Sequence, residues 1–335
     1  MNSLPNEARL DVLKCLNFNQ LFSVKQTNFY FRNLINKYEG ELARMKFYSF
    51  LLFGVNSFLN GDHIFDLKSG LFDFTLNDQL KKKWQAAVDN SIPLFLNIFE
   101  HGRDFVCIRK TKYSSTGRYL LKLPRFPKNI EEMIIVRCWL EHLFNCAFEL
   151  AYFSEGVFNP QMINILFDND KTIPLQFNIQ TTALDLYVDK KLFENFLKFS
   201  LNHLLVSGSL NINLISRNFT EQQTNILFDI LINEGNKFPK IYLSGSKLSQ
   251  LYHLITEYIA TSRDLSKMVL AIDLYSIYTT FKLSERAENV EIKQETRVKY
   301  AKYQIANIYN PKVKFSFYSE ESDGSIYIKI RKMKE

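Results

Sequence analysis

Glycine is scarce in this sequence, with 11 in 335 residues, and the glycine-rich motifs of common enzymes are missing. GxGxxG, GxxxxGK[ST] and GxSxG do not occur, so the chain lacks the loops that hold phosphates or a serine nucleophile. The metalloprotease motif HExxH is missing as well, and the five histidines show no spacing typical of a catalytic triad. The sequence therefore predicts no catalytic residue and no cofactor, and it favours a role other than an enzyme.

Cysteines are few and long apolar runs are missing. The four cysteines lie far apart without a CxxC pair, which is typical of reduced thiols rather than of a disulfide framework. No segment approaches the roughly 18 apolar residues of a membrane span. Glu7, Arg9 and Asp11 stand where a signal peptide would need an apolar segment. We expect no membrane association and a location in the cytoplasm, the nucleus or both.

Large apolar residues are abundant, and the surplus of positive charge is concentrated. The chain has 30 Phe and 17 Tyr, which favours a well-packed core, and its formal net charge is +7. Residues 109–128 contain no acidic residue and carry seven cations: Arg109, Lys110, Lys112, Arg118, Lys122, Arg125 and Lys128. Such a stretch is able to bind nucleic acid or another acidic ligand, but a solvated surface is the simpler interpretation.

The N-terminal segment has the apolar spacing of short amphipathic helices. One stripe predicts a helix near residues 5–16, and a second group of apolar residues predicts further short helices up to residue 36. Together the segments resemble the F-box, a module of about forty residues. The residues that carry the resemblance are Leu4, Pro5, Leu13, Leu16, Leu21, Val24, Phe31 and Leu34.

The resemblance implies a fold and a partner. An F-box over residues 1–40 would be a three-helix unit that docks onto a Skp-type adaptor and, through it, onto a cullin scaffold. Leu4, Pro5, Leu13, Leu16, Leu21 and Val24 would then form much of the adaptor-facing or packing surface. The rest of the chain is similar to the expanded F-box protein families of nematodes. The implied function is the substrate-recognition subunit of a ubiquitin ligase, with an unknown target protein.

Residues 41–144 are predicted as linker helices with a small β-containing region. Apolar residues over 41–55 and the pattern over 78–88 predict two helices, and residues 131–144 predict a third that is buried. Three short runs, at 94–98, 105–108 and 119–123, have β-compatible composition, and we expect them to pair as a small sheet.

Residues 145–335 alternate strand-like and helix-like segments. Strand-like runs are centred near residues 148, 179, 212, 242 and 271, at intervals of about 30 residues, and each interval contains a helical pattern. Repeated βα units predict a parallel sheet, either a curved array resembling degenerate leucine-rich repeats or a compact α/β layer. Alternation at 313–317 and 326–330 around Asp323-Gly324 predicts a C-terminal hairpin. The predicted fold class is α/β, with an N-terminal F-box, βα repeats and this hairpin as a cap.

Polar side chains alternate with apolar ones along the predicted parallel strands. If helices cover one face, the other face presents Gln176, Asn178, Asn211, Asn213 and Tyr242, with Gln180, Ser244, Asp273 and Tyr275 as extensions. We expect this face to bind the target protein, and the alternative is a face that is only solvated. Cys138, His142 and Cys146 follow at helical spacing, but a structural zinc site usually has four ligands, so we predict no metal.

Overall fold

This computed structural model describes residues 5–38, 41–54, 63–65, 74, 76–97, 104–112, 118–154, 156–168, 173–186, 190–214, 220–246, 248–277 and 282–334. Leu4, which the resemblance placed at the adaptor contact, lies outside the described residues. Within these ranges the chain is a mixed α/β protein built around one large mixed sheet.

Three short helices begin the chain, where the apolar spacing predicted helices. They are α1 (Asn6–Lys14), α2 (Phe18–Lys25) and α3 (Phe29–Lys37). Asn17 and Asn28 cap α2 and α3 by accepting hydrogen bonds from the backbone N–H groups of Gln20 and Phe31. The three helices enclose an apolar cluster separate from the main core, made of Leu13, Leu21, Phe31, Leu34, Ile35 and Leu42. They therefore form a small unit with its own interior.

The helix predicted over residues 41–55 is wrong. Residues 45–54 form strand β1, which pairs parallel with β6 (Cys146–Phe153) and antiparallel with β4 (Asp104–Arg109). A short apolar run does not by itself distinguish a buried strand from a buried helix. Two neighbouring strands satisfy the backbone of β1, so the sheet continues across the boundary predicted at residue 145.

The predicted strands at 105–108 and 119–123 pair with each other, but the run at 94–98 pairs elsewhere. β4 lies antiparallel to β5 (Tyr119–Lys122), whereas β3 (Phe95–Asn97) forms a separate two-stranded sheet with β7 (Gly156–Phe158). A short strand, β2 (His63–Phe65), lies parallel to β5 at one edge of the large sheet.

Five strands that run parallel to one another and to β1 make the centre of the large sheet. They follow chain order from β6 through β8 (Phe177–Leu186), β9 (Leu204–Leu214) and β10 (Ile241–Ser246) to β11 (Ala271–Ile277). Successive strands are joined through α6 (Pro160–Phe167), α7 (Lys190–His203), α8 (Glu221–Asn233) and α9 (Ser249–Thr261). Because such crossovers are right-handed and the strands advance in one direction, these helices lie on one face of the sheet.

Two further helices complete the helical layer. α4 (Asp78–Asp89) and α5 (Ile130–Phe144) lie where the sequence predicted helices, and α5 is buried as expected. Neighbouring helices pack together over an aromatic core that includes Phe50, Phe158, Phe177 and Phe199.

Antiparallel strands extend the sheet beyond β11. They are β12 (Glu288–Gln294), β13 (Val298–Ala306), β14 (Lys314–Ser322) and β15 (Ser325–Lys332), and β15 pairs with β11. The predicted C-terminal hairpin is β14–β15, which turns at Asp323 and Gly324, both with positive φ. Instead of capping the end of the parallel strands, the hairpin continues the sheet, and β12 is its outer edge.

Candidate binding face of the sheet

The two faces of the large sheet differ in cover. Along β8 to β11 and β13 to β15, alternate residues such as Ile212, Leu243, Leu274 and Ile328 are buried toward the helices. The intervening side chains point to the opposite face, and most of those on β9, β10, β14 and β15 are half-exposed. We call this opposite side the open face.

The strand register aligns the polar residues of the open face in two rows. One row consists of Asn211, Tyr242, Asp273, Lys329, Tyr318 and Lys302. The neighbouring row consists of Asp185, Asn213, Ser244, Tyr275, Tyr327, Glu320 and Tyr300. Each row crosses from the parallel strands into the antiparallel ones, and the two rows together contain five tyrosines.

Asp273 is the centre of the charges on this face. Its side chain is only 1% exposed, and its Oδ2 lies 2.5 Å from Lys240 Nζ. Its Oδ1 pairs with the Arg331 guanidinium, and the Tyr327 hydroxyl donates a 2.7 Å hydrogen bond to Oδ2. Burial alone would raise the pKa of this carboxyl, but the hydrogen bonds from Lys240, Tyr327 and Arg331 outweigh it and hold the pKa below its usual value.

Cations and aromatic rings stack beside this cluster. Lys329 Nζ lies 5.4 Å from the centre of the Tyr318 ring and 5.2 Å from that of Tyr327. The Tyr300 and Tyr318 rings are 6.3 Å apart. A depression of about 400 Å³ next to them is lined by residues including Lys302, Gln304, Tyr318, Lys329 and Arg331. Amphipathic rings and fixed cations of this kind are suited to contact with a protein surface.

On the parallel side, polar groups of the open face are linked across strands. Asn213 Nδ2 donates to Asp185 Oδ1 at 2.7 Å, and Ser244 Oγ donates to Asn213 Oδ1 at 2.7 Å. Desolvation raises the pKa of the Tyr242 hydroxyl, which is next to Tyr275 and Asp273. The polar groups are therefore held in fixed positions before any ligand arrives.

The five target-binding residues predicted from the sequence do not all meet. Asn211, Asn213 and Tyr242 lie together on the open face. Asn178 instead donates to the backbone oxygen of Phe144 at 3.0 Å, near the start of β8. Gln176 precedes that strand and donates to the backbone oxygen of Asn202 at 3.4 Å. The amides of Asn178 and Gln176 therefore support the backbone, and they lie three strands away from the Asp273 cluster.

The residues predicted for adaptor contact also divide into two groups. Leu13 and Leu21 are buried inside the three-helix unit, so they belong to its packing and not to an exposed contact surface. Leu16 and Val24 are half-buried against that cluster, and Pro5 is exposed. The resemblance did not single out the exposed aromatic residues Phe22, Phe29 and Tyr30, which are 52%, 77% and 43% exposed. These three aromatic residues lie outside the apolar stripe that packs inside the unit, and this position in the sequence pattern could have identified them as exposed.

The basic stretch at 109–128 does not form one continuous patch in the described residues. Arg118 is buried, and Lys110 lies beside Tyr119, Leu121 and Trp139 on the helix-covered face. Lys122 is next to Leu121 in the strand and points to the other side of the sheet. Arg125 stacks on Phe126 with a guanidinium–ring distance of 5.7 Å.

The Cys138, His142 and Cys146 spacing does not continue on one helix, since α5 ends at Phe144 and Cys146 begins β6. His142 Nδ1 is 2.7 Å from the backbone oxygen of Cys138, and the Cys146 thiol donates to the backbone oxygen of His142. Desolvation raises the pKa of Cys138 to about 11. Among the described residues, no cluster of three or more metal-ligating side chains is present.

Comparison with known proteins gives little beyond this geometry. A family model for a domain of unknown function, DUF8381, matches residues 65–215. No curated protein matches the chain. An S-adenosylmethionine-dependent methyltransferase from Clostridium acetobutylicum is similar at 14% identity, with 61% of this chain and 74% of that chain covered and a TM-score of 0.16. That TM-score is too low to support an inference.

None of the helices in the described ranges is both long and apolar enough to cross a membrane.

Proposed function

We propose that the protein is a substrate-recognition subunit of a Skp–cullin–F-box type ubiquitin ligase. In this proposal the three-helix unit docks onto a Skp-type adaptor, and the open face binds a target protein. The protein then performs no bond chemistry. It acts by raising the effective concentration of its target near the ubiquitin-transferring enzyme, in the cytoplasm, the nucleus or both.

The observation that carries the proposal is the separate interior of the three-helix unit together with its exposed aromatic residues. The unit buries its own leucines, yet Phe22 and Phe29 remain more than half exposed. Exposed aromatic side chains at this density usually mark a contact surface, because large rings supply much of the free energy at protein interfaces. A docking module needs this combination of an interior of its own and an apolar exterior.

The large sheet supports the second half of the proposal. Its five parallel strands follow chain order with helices on one face, which is the arrangement expected of a degenerate leucine-rich-repeat-like curved array. Such arrays bind partners through the strand face that helices leave open. Here the open face presents tyrosines and fixed charges.

The adaptor contact can be tested with exposed residues, so that folding is not disturbed. We expect Phe22→Glu and Phe29→Glu each to reduce binding of the full chain to a purified Skp-type adaptor by at least about tenfold, because a charge placed at an apolar interface loses its hydration without a partner. Isothermal titration calorimetry at two salt concentrations measures this.

Phe126→Glu is the matched control. Phe126 is also an exposed aromatic residue, but it lies outside the three-helix unit, between β5 and α5, so this variant should bind the adaptor like the parent. If the parent does not bind the adaptor, or if all three variants bind it equally well, the proposal fails. Binding of nucleic acid that falls steeply with salt would favour the alternative function for the basic residues.

A further inference from the structure

Strand β12 is an outer edge of the large sheet, and its pairing with β13 is regular from Glu291 to Gln294, after a bulge between Glu288 and Glu291. All seven of its residues are exposed, although β13 pairs with it along one side. Ile292 is 58% exposed and Val290 is 41% exposed. A free edge of this kind presents backbone N–H and C=O groups that can pair with another strand.

The hydrogen-bond register identifies the backbone groups that face outward. The backbone N–H of Glu295 donates to the backbone oxygen of Val298 at 2.9 Å, so these two residues are a hydrogen-bonded pair. Ile292 is opposite Ala301 in the same register, and alternation makes that pair non-hydrogen-bonded. The N–H and C=O of Ile292 and Gln294 therefore point away from β13, toward the free edge.

Successive side chains of β12 point to opposite faces of the sheet, and the two charged ones at its centre have opposite sign. Glu291 is opposite Lys302 and Lys293 is opposite Tyr300, so both charges lie on the open face. Ile292 lies between them and points to the other face with Ala301. The sequence Glu291-Ile292-Lys293 therefore has a negative charge, an exposed apolar residue and a positive charge in consecutive positions.

We propose that β12 pairs with β12 of a second copy of this chain, antiparallel and about a two-fold axis at Ile292. Ile292 and the partner subunit's Ile292 would exchange both backbone hydrogen bonds. Glu291 would then be opposite the partner's Lys293, and Lys293 opposite the partner's Glu291. These are non-hydrogen-bonded pairs, in which side chains approach most closely, and this favours the ion pairs.

The charges select this register over its neighbours. Two edges can form backbone hydrogen bonds only when outward-facing residues lie opposite each other. Any alternative register must therefore keep Ile292 or Gln294 opposite an outward-facing residue of the partner. If the two-fold axis moves to Glu291, Glu291 lies opposite the partner's Glu291. If the axis moves to Lys293, Lys293 lies opposite the partner's Lys293. Like charges directly opposite are unfavourable. Charges at an edge commonly prevent pairing. Here the charges of Glu291 and Lys293 disfavour the two neighbouring registers and not the proposed one.

The interface is one strand wide, so it is smaller than the interfaces of permanent dimers, and the dimer should be weak and reversible. Sedimentation velocity of the full chain from about 1 to about 200 µM should show a concentration-dependent shift from monomer to dimer. A parent chain that remains monomeric throughout this range overturns the proposal.

Charge exchange tests the register directly. Glu291→Lys places lysines opposite each other across the axis, and Lys293→Glu places glutamates opposite each other, so each variant alone should associate at least about tenfold more weakly than the parent. An equimolar mixture of the two should associate again, because every pair across the axis is then of opposite sign. The double variant Glu291→Lys/Lys293→Glu should also associate like the parent.

Glu285→Lys and Lys312→Glu carry the same charge changes at exposed positions outside β12 and should behave like the parent. Thermal melts of all variants control for folding, since Glu291→Lys also faces Lys302 within the chain. The proposal is overturned if the single variants associate as strongly as the parent, or if the folded variants do not associate on mixing. It is independent of the adaptor contact proposed above.

Discussion

The Tyr327 hydroxyl donates a 2.7 Å hydrogen bond to the buried carboxylate of Asp273, and this contact joins the last parallel strand, β11, to the antiparallel strand β15. Burial, followed by the hydrogen bond to Asp273 and the negative charge of that carboxylate, raises the pKa of Tyr327. The hydroxyl is therefore protonated at neutral pH and donates to Asp273, and a charged group fixes the junction between the two halves of the sheet.

Asp273→Asn should destabilise the chain by about 2 kcal/mol, because hydrogen bonds to charged groups are stronger than neutral ones and because Lys240 and Arg331 lose their anion. Equilibrium unfolding in urea measures the change. Asp323→Asn, in the exposed hairpin turn, is the control and should shift the free energy of unfolding by less than about 0.5 kcal/mol. Equal stability of the two variants would show that the Asp273 cluster contributes nothing.

The contribution of Asp273 should also depend on pH. Its folded-state pKa is lowered, so the stabilisation is complete above the unfolded-state pKa of about 4 and is lost as pH falls through the folded-state value. The difference in unfolding free energy between the parent and Asp273→Asn should be constant from about pH 5 to 7 and shrink below about pH 4. A difference that grows on acidification would contradict the lowered pKa.

If the open face binds the target, Tyr318→Ala combined with Tyr300→Ala should abolish recovery of target proteins by the full chain while leaving adaptor binding unchanged. Both rings are half-exposed, so stability should fall only modestly. Quantitative co-purification measures both partners. Tyr309→Ala removes an exposed tyrosine that is not on the open face and should change neither. Undiminished target recovery by the double variant would place recognition elsewhere.

Gly235→Ala should cost about 2 kcal/mol, because a Cβ at this buried position would lie 2.3 Å from the backbone nitrogen of Val269. That nitrogen donates to the backbone oxygen of Leu231, so the clash also disturbs a hydrogen bond. Gly324→Ala meets no atom within 4 Å and is strained only by its positive φ, so its cost should be smaller, about 1 kcal/mol. Urea unfolding of both variants gives their losses of unfolding free energy. A larger loss for Gly324→Ala than for Gly235→Ala would contradict the packing at Val269.

Thiol labelling should separate the cysteines by exposure. Cys15 is exposed, whereas Cys107 is buried and burial raises the pKa of Cys138 to about 11. With iodoacetamide at pH 8, Cys15 should label first, and Cys107 and Cys138 should label only after urea is added. Peptide mass spectrometry reads each site. Rapid labelling of Cys138 in the folded chain would mean that α5 is not packed as described.

The elements with strong periodicity could be predicted from the sequence, and the others could not. Helices α4 and α5 and the five parallel strands lie where the spacing predicted them. Strand β1 was assigned to a helix because Phe50, Leu51 and Leu52 give an apolar run without a helical or alternating pattern. Strands β12 and β13 were not predicted, because charged and aromatic residues alternate there on faces that only the register reveals. For the same reason the sequence supplied Asn211 and Tyr242 of the open face but not Tyr300 or Tyr318.

The parallel strands lie in the sheet in the order in which they occur in the chain, and this order determines the width of the sheet. From β8 to β10, each strand pairs only with the parallel strand before it and the parallel strand after it, so one strand and its helix could be gained or lost there without changing how the other strands pair. One such exchange would move the antiparallel strands by about 4.8 Å relative to β1, the spacing between neighbouring strands. The number of strands between β1 and β15 thus sets the distance from β1, the first strand after the N-terminal helices, to the antiparallel strands that carry Tyr300 and Tyr318.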